Sequence, residues 1–412
     1  MSDAAAYLLA HFAKSQLWHA STVLFGFFLT EACGMDAATM GAVMAGSLLV
    51  NGVMDGLIGR RARRTPGDLA AGLRRQGPHA CLASLFFMGF CATPLFGPDQ
   101  RLPWAVATIL AFRMAYACVD VTQNAAVSMI SDDVDARCVL LSRRNIASAL
   151  ANLAVGVVAG GLLIHGRGIG LWLAWAGSVS ILACATAARL QRLAPRAGDD
   201  GRGSVDPTHL PIAPVGQELA PFGALLASLA VLMFACSSFR SLEPYYAAYV
   251  GKGIGLMAAA AIGGMVSQPL WVACRRCLGM RATLAIIASL LILAALTVMG
   301  AWRTDRIGIV IVGVNFGAGT SGLWLMLWTN MLAHAATDHA MARAGIFTCL
   351  SKLAQGAAML LLGTVMAASS YRTALANAWS APSLLMAGSL AAMAGACLIL
   401  LFGSTRMRAR VS

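Results

Sequence analysis

Long apolar stretches alternate with short polar ones along almost the whole chain. Each apolar stretch is about 20 residues long, which is enough for a helix to cross the roughly 30 Å apolar layer of a bilayer. The pattern predicts twelve spans, near residues 8–31, 38–59, 78–97, 103–129, 145–165, 169–190, 219–242, 254–273, 282–301, 307–333, 344–367 and 381–403. We therefore expect an all-α polytopic membrane protein with twelve transmembrane helices.

Polar side chains recur at helical spacing inside several of these spans. The clearest stripe lies in span 4, where four polar residues follow one another at intervals of three and four: Arg113, Tyr116, Asp120 and Asn124. Residues at these intervals share one face of a helix. A charge at the centre of a bilayer costs at least about 2.5 kcal/mol, so charges kept there usually line a solute or ion path. The stripe predicts a transporter.

Other spans repeat the pattern. In the first half of the chain, spans 1 and 2 carry stripes of their own: Lys14, Trp18 and Thr22, then Ser47, Asn51 and Asp55. We expect these stripes and that of span 4 to converge on one cavity. The second half offers fewer polar residues inside its spans: Gln268, Lys352, and the pair Arg240 and Glu243. Because Arg240 and Glu243 lie three residues apart at the predicted end of span 7, we expect them to neutralise each other at the outer surface.

Composition agrees with a membrane protein. Hydrophobic residues make up 59% of the chain and charged residues 11%, against about 25% charged residues in a soluble domain. The net charge of +13 does not indicate nucleic-acid binding, because the arginines gather in alternate loops between the spans. By the positive-inside rule these loops and both termini lie in the cytoplasm. The preference for Arg over Lys is typical of a GC-rich bacterial genome, which predicts the inner membrane.

The chain divides near its middle. Residues 192–220 are rich in Pro, Gly and charged residues and predict a cytoplasmic linker between a half at 1–191 and a half at 221–412, the latter with a short basic tail. The basic loop after span 2 (GRRARR) has a counterpart after span 8 (CRRCLGMR). A repeated six-span unit is typical of a transporter with a midplane site between its halves. We expect a monomer whose partners are a small-molecule substrate and the lipid bilayer.

Four stretches carry a family resemblance: FGFFLTEACG (25–34), LLVNGVMDGLIG (48–59), DVTQNAAVSMISDDVDARCVLLSRRNIASA (120–149) and MLAHAATDHAMARAGIFTCLSKLAQGAAMLLLG (331–363). They resemble, in order, the helix 1, helix 2, helix 4–5 and helix 10–11 segments of the glycoside–pentoside–hexuronide cation symporters. These symporters are the melibiose-permease-like branch of the major facilitator superfamily. The resemblance implies the fold of that superfamily, with two six-helix halves, and transport of a sugar-like, polyol or glycoside solute by cation or proton symport through alternating access.

The resemblance also implies a site. Asp55 matches the second of the family's two helix 2 carboxylates, while Asn51 stands in the place of the first, so the helix 2 cation motif is degenerate. With Asp120 and Lys352 these residues are the candidates for coupling H⁺ or Na⁺, and no other cofactor or metal is expected. The candidates for binding the solute are Asp120, Arg144, Asn124, Tyr116, Trp18 and Lys352. The candidates for a cytoplasmic gate are Arg60, Arg61 and Arg275.

Structural roles are open for several of these residues. Lys352 and Asp55 can form a static bridge between helices, Arg113 and Asp120 can anchor one helix to another, and Arg144 can extend from a helix end toward the aqueous phase. A proton-coupled exporter of an amphipathic or drug-like compound is the alternative function, and it would need a large apolar cavity and one essential carboxylate. The sequence holds neither a G-x-S-x-G elbow nor a P-loop, so an enzyme is not expected.

Overall fold

The computed structural model describes residues 3–64, 68–130, 134–192, 220–251, 254–300, 306–334, 340–373 and 379–411. Within these ranges the chain forms helices and turns only, which confirms the all-α prediction. The predicted linker falls almost entirely at 193–219 and the side chains of the basic tail at 404–411, outside the described residues. The division of the chain into two halves at this linker stays a prediction.

Twelve long helical segments, α1 to α12, follow one another along the chain. Their bounds are Asp3–His19 (continued by Ala20–Leu24, Phe25–Phe27 and Phe28–Ala32), Ala37–Ala62, Gln76–Cys91, Pro98–Ala125, Val134–Ala154 (continued by Val155–Gly160 and Gly161–Ile164), Ile169–Gln191, Phe222–Tyr249, 255–278, 280–299, Arg306–Ala333, Ala340–Ala367 and Ser380–Val411. Short helices at Asp68–Arg74, Thr93–Leu95 and Val127–Ile130 lie between them.

The helices are long and apolar enough for a membrane protein. Nine of the described helices meet the length and hydropathy expected of a membrane span, and one of these nine is the 45-residue helix Gly255–Met299 that contains both α8 and α9. The remaining two segments are α1, which carries Lys14, and α3, which has 16 residues. Each of the twelve spans predicted from the sequence therefore has a helix.

Two differences from the predicted boundaries concern α5 and the junction of α8 with α9. Helix α5 begins at Val134 rather than near residue 145, so Arg144 lies inside a helix and not at its start. Helices α8 and α9 are joined without a loop at Gly279, whose φ of 80° suits a residue that lacks a Cβ. Arg, Leu, Met and Ala favour the helical conformation, so the helices continue past the apolar stretches that the sequence pattern detects.

Helices α2 and α11 pack closely along their whole length. A Cβ added to Gly41 would lie 2.8 Å from the Cα of Gly363, and one added to Gly345 would lie 2.6 Å from the Cα of Gly59. Small residues allow such approach between membrane helices, where van der Waals contact is a main source of attraction. The α2–α11 seam thus holds Asp55 of one helix beside Lys352 of the other.

A bulky residue in the seam is expected to destabilise the protein. The change Gly41→Val puts side-chain atoms into the backbone of α11 and should lower the free energy of unfolding by about 1–3 kcal/mol, the usual effect of overpacking. The control is Gly46→Val on the same helix, where an added Cβ meets nothing within 4 Å. Thermal unfolding in detergent compares the two variants, and equal losses would show that the seam is not tightly packed.

Candidate functional site

A cavity of about 240 Å³ lies inside the helix bundle. Side chains or backbone of α1, α4, α5, α7, α8, α10 and α11 form its wall. The wall includes Lys14, Trp18, Asp120, Arg144 and Lys352, which come from the polar stripes and spans that the sequence singled out. The expected convergence of separate stripes on one cavity is therefore present in the structure.

Four charged side chains meet beside this cavity, and we call them the four-charge cluster: Lys14, Asp55, Asp120 and Lys352. Lys14, Asp120 and Lys352 line the wall, and Asp55 is buried against Lys352. The Lys352 Nζ lies 2.5 Å from Asp55 Oδ2 and 2.7 Å from Asp120 Oδ2. The Lys14 Nζ lies 2.8 Å from Asp120 Oδ1. The cluster joins α1, α2, α4 and α11, and its two ammonium groups balance its two carboxylates.

Burial makes this balance important. The side chains of Lys352 and Asp55 are 2% and 0% exposed, and that of Asp120 is 12% exposed. Charges removed from water in this way are tolerated only when they are paired and hydrogen-bonded. The charge-assisted hydrogen bonds of the cluster therefore stabilise the arrangement of four helices around the cavity.

Two asparagines extend the cluster. Asn124 Nδ2 donates to Asp120 Oδ1 at 3.0 Å, and Lys14 Nζ donates to Asn124 Oδ1 at 3.3 Å. Asn51 Nδ2 donates to Asp55 Oδ1 at 3.4 Å, a long contact. The structure thus brings Asn51 and Asn124 to the carboxylates, as their helical spacing predicts.

Aromatic rings form the adjacent part of the wall. Trp18 stacks on Tyr116 with ring centroids 5.6 Å apart, and Lys352 Nζ lies 5.2 Å from the Trp18 ring. Arg113 also lies 5.2 Å from that ring and donates to the Ser21 hydroxyl and carbonyl oxygens at 3.0 Å. Arg113 thus joins α4 to α1, and Asp120 joins α4 to α1 and α11, which agrees with the helix-to-helix anchor left open for these two residues.

Arg144 is a buried cation on the cavity wall. It is 2% exposed and stacks on Trp328 of α10, with its Cζ 4.4 Å from the ring centroid. Among the described residues, its Nε and Nη1 have no hydrogen-bond acceptor. A buried guanidinium with unused donors costs free energy, and an oxygen-bearing solute in the cavity would supply the missing acceptors.

The sequence missed several residues of the site. His11, His19 and Asn152 reach the cavity and were not singled out, and Lys14 was placed in a polar stripe but without its partner Asp120. The expectation for Arg240 was wrong.

The Arg240 and Glu243 pair is buried rather than exposed at the outer surface. Glu243 is 0% exposed, and Arg240 lines the cavity and hydrogen-bonds Asn152 of α5. The physical reason is that α7 ends at Tyr249 rather than near residue 242, so the pair lies inside the helix and not at its end.

The predicted gate arginines lie apart from the cavity. Arg60 and Arg61 are exposed at the end of α2, and Arg275 is half-buried in α8. A gating role for these residues stays a prediction.

A set of polar contacts surrounds Glu31, at the end of the bundle away from Arg60 and Arg61. The Glu31 carboxylate accepts hydrogen bonds from the hydroxyls of Tyr249 at 2.5 Å and Tyr371 at 3.1 Å, and from Arg372 Nη2 at 3.2 Å. Glu31 belongs to the end of α1, while its donors lie at the end of α7 and after α11. These contacts therefore connect the end of α1 with the end of α7 and with the segment that follows α11.

Comparisons with known proteins agree with the fold. The family model described as MFS/sugar transport protein matches residues 6–409. YagG of Escherichia coli (strain K12), named as a glycoside/cation symporter, is 28% identical over 166 residues, which are 39% of this chain and about a third (35%) of YagG. The resemblance found in the four sequence motifs is confirmed.

Solved structures resemble the whole chain at low sequence identity. A bacterial homologue of the iron transporter ferroportin, in an outward-facing state, superposes with a TM-score of 0.69 at 15% identity, covering 98% of this chain and 100% of its own. A bacterial homologue of the drug peptide transporters PepT1 and PepT2 gives a TM-score of 0.66 at 12% identity, covering 100% and 99%. The nucleoside transporter NupG gives 0.62 at 12%, covering 97% and 100%. At such identities the likeness shows the fold.

The balance of the four-charge cluster can be tested by a double-mutant cycle. Asp55→Asn leaves a buried lysine with one carboxylate fewer and should lower the free energy of unfolding by about 3–5 kcal/mol. Asp55→Asn combined with Lys352→Met should cost less than the sum of the two single changes, because both members of the pair are removed.

Denaturant unfolding in detergent measures all three variants. Arg276→Gln, at an exposed position, is the control and should change stability by less than about 0.5 kcal/mol. Additive losses in the cycle would contradict a direct interaction between Asp55 and Lys352.

Proposed function

The chain belongs to the MFS/sugar transport family, and from this premise we propose that it carries a small sugar-like, polyol or glycoside solute by cation or proton symport. It is a multi-pass membrane transporter and not an enzyme. The observation that carries the proposal is the four-charge cluster: Lys14, Asp120 and Lys352 line a cavity between helices, and Asp55 is paired with Lys352 behind that wall.

The cluster suits a cycle of charge exchange. In the solute-free protein the two lysines neutralise Asp55 and Asp120 from within. A cation or proton that binds these carboxylates releases the lysines, and Lys352 or Lys14 can then turn toward the solute. The total charge of the loaded cavity differs from that of the empty cavity only by the charge of the bound ion. Binding of the ion and the solute shifts the population between the states that open to either side of the membrane.

The cavity favours a small hydroxylated solute. Arg144 offers hydrogen-bond donors, Asp120 and Asn124 offer acceptors, and the Trp18 ring offers an apolar face beside them. A hydroxyl is both donor and acceptor, so it can satisfy both kinds of group. The volume of about 240 Å³ is below the roughly 300–1,000 Å³ of pockets for drug-sized ligands, which favours the symporter over the exporter.

The orientation follows from the basic residues. With both termini in the cytoplasm of a bacterial cell, Arg60, Arg61 and Arg275 lie at the inner end, and the Glu31 contacts lie at the outer end of the bundle. The predicted halves, 1–191 and 221–412, would then rock about the cavity as a monomer. The proposal therefore includes a location in the inner membrane.

Ligand-dependent stabilisation of the purified protein tests the proposed function. We expect a neutral hydroxylated compound, from a panel of sugars and polyols, to raise the unfolding temperature of the wild type in the presence of H⁺ or Na⁺. At 100 times its Kd such a ligand adds about 2.7 kcal/mol. Asp55→Asn and Asp120→Asn should abolish the shift, while Arg276→Gln should retain it.

The same panel distinguishes the alternative function. Lipophilic cations are included beside the sugars and polyols. Stabilisation by these compounds, with only one of the two carboxylates required, would replace the symporter by a proton-coupled exporter of amphipathic compounds.

A further inference from the structure

A second buried carboxylate lies outside the four-charge cluster. Glu243 of α7 is 0% exposed, and Arg240, one turn earlier on the same helix, reaches the cavity. Arg240 Nη2 donates to the side-chain oxygen of Asn152 on α5. The guanidinium therefore lies between a buried carboxylate on its own helix and an amide across the helix interface.

The contact between the two charges is weak. Arg240 Nε lies 3.6 Å from Glu243 Oε2, which is too long for a hydrogen bond. Within the described ranges, neither oxygen of Glu243 accepts a hydrogen bond, whereas Asp55 and Asp120 each accept one from a lysine at 2.8 Å or less. Glu243 is thus a buried anion that one guanidinium compensates through charge alone.

Few other ionisable groups face this pair. Cys236 lies one turn before Arg240 on α7 and interacts electrostatically with both Arg240 and Glu243. His19 of α1 interacts electrostatically with Arg240. His19 Nε2 is 3.0 Å from the Ser148 hydroxyl of α5. In the described part of the chain, no second carboxylate or oxygen-rich shell accompanies Glu243, and hard cations take roughly six oxygen ligands. The chemistry of the site suits a proton rather than a metal ion.

We propose that Glu243 is a proton-carrying site of the transport cycle and that Arg240 controls its occupancy. While the guanidinium lies beside it, the charged form of the carboxylate is favoured. When Arg240 turns toward an oxygen atom of a solute in the cavity, Glu243 loses its compensation and takes a proton from water. Solute binding and proton uptake are thereby linked at a position distinct from Asp55 and Asp120.

The proposal deepens the proposed function, since it names a residue that carries the coupling proton. It needs no sodium site at α2. It also gives the second part of the chain, which has fewer polar residues inside its helices, a direct role in coupling.

Infrared spectroscopy with isotope-labelled glutamate tests the proposal without any solute. The chain has three glutamates, Glu31, Glu218 and Glu243, so a ¹³C carboxyl label on glutamate gives a simple spectrum. We expect the wild type in lipid to keep a labelled, protonated carboxyl band at pH values where an ordinary glutamate is fully ionised, and to lose it as the pH rises further. Glu243→Gln should abolish this band, and the matched control Glu31→Gln should retain it. A band that survives in Glu243→Gln at those pH values would overturn the proposal.

Changes at the neighbours of Glu243 test the control by Arg240. Arg240→Gln removes the compensating charge, so the protonated band should persist to more alkaline pH, and Arg240→Lys should restore the wild-type titration. Asn152→Ala removes the competing acceptor and leaves Arg240 to Glu243, so the band should disappear at more acidic pH. Opposite shifts are not expected of a purely structural pair, and unchanged titration in both variants would overturn the control by Arg240.

Folding is checked in each variant by gel filtration and by its unfolding temperature. The failure of this proposal is distinguishable from the failure of the proposed function. The spectra require no substrate, and the stabilisation panel requires no change at Glu243. A protein that binds sugars but shows no Glu243 band would keep the first proposal and lose the second.

Discussion

The structure depends on the mutual neutralisation of four charges in an apolar interior. Lys352 contacts both Asp55 and Asp120, and Lys14 contacts Asp120 from the other side. No single helix could carry one of these groups through a bilayer without a large cost, so α1, α2, α4 and α11 are stable in the membrane only together. The glycines of the α2–α11 seam belong to the same constraint, because a wider separation of these helices would part Lys352 from Asp55.

The neutralisation of these four charges also constrains how an ion can take part in the proposed transport cycle. The four-charge cluster is complete without an external ion, so an ion that enters must displace a lysine and not simply fill a vacant site. Glu243 differs from Asp55 and Asp120 because it accepts no hydrogen bond from its charged partner, Arg240, whose Nε lies 3.6 Å from Glu243 Oε2. Arg240 instead donates a hydrogen bond to Asn152 on α5. In the proposed cycle, the ammonium groups of the cluster and the guanidinium of Arg240 are the protein counter-charges that move.

Helical spacing in the sequence predicted much of this arrangement. The stripe of Tyr116, Asp120 and Asn124 lies on the cavity as expected, because residues at intervals of three and four share a face regardless of their neighbours. The partner of each charge was harder to predict. A spacing rule assigns Lys14 to a face of α1 but does not say that this face meets Asp120, since that depends on how helices pack.

Helix ends caused the main errors. The apolar pattern ends near residue 242, whereas α7 continues to Tyr249, and this difference of about two turns moved Glu243 from an expected surface to the interior. Arg144 shows the same effect at the start of α5, where helix-favouring residues precede the apolar stretch. Sequence hydropathy thus marks the part of a helix that lies in lipid but not the polar turns that continue it into the protein.

Solute accumulation in sealed proteoliposomes tests the central claim most directly. The compound that stabilises the purified protein is supplied in radiolabelled form, with an inward gradient of H⁺ or of Na⁺ imposed separately. We expect accumulation above the external concentration under one of these gradients, and only equilibration when the gradient is dissipated by an ionophore. Uptake that reaches the same level with and without either gradient would contradict coupling, and the cluster would then be a structural device alone.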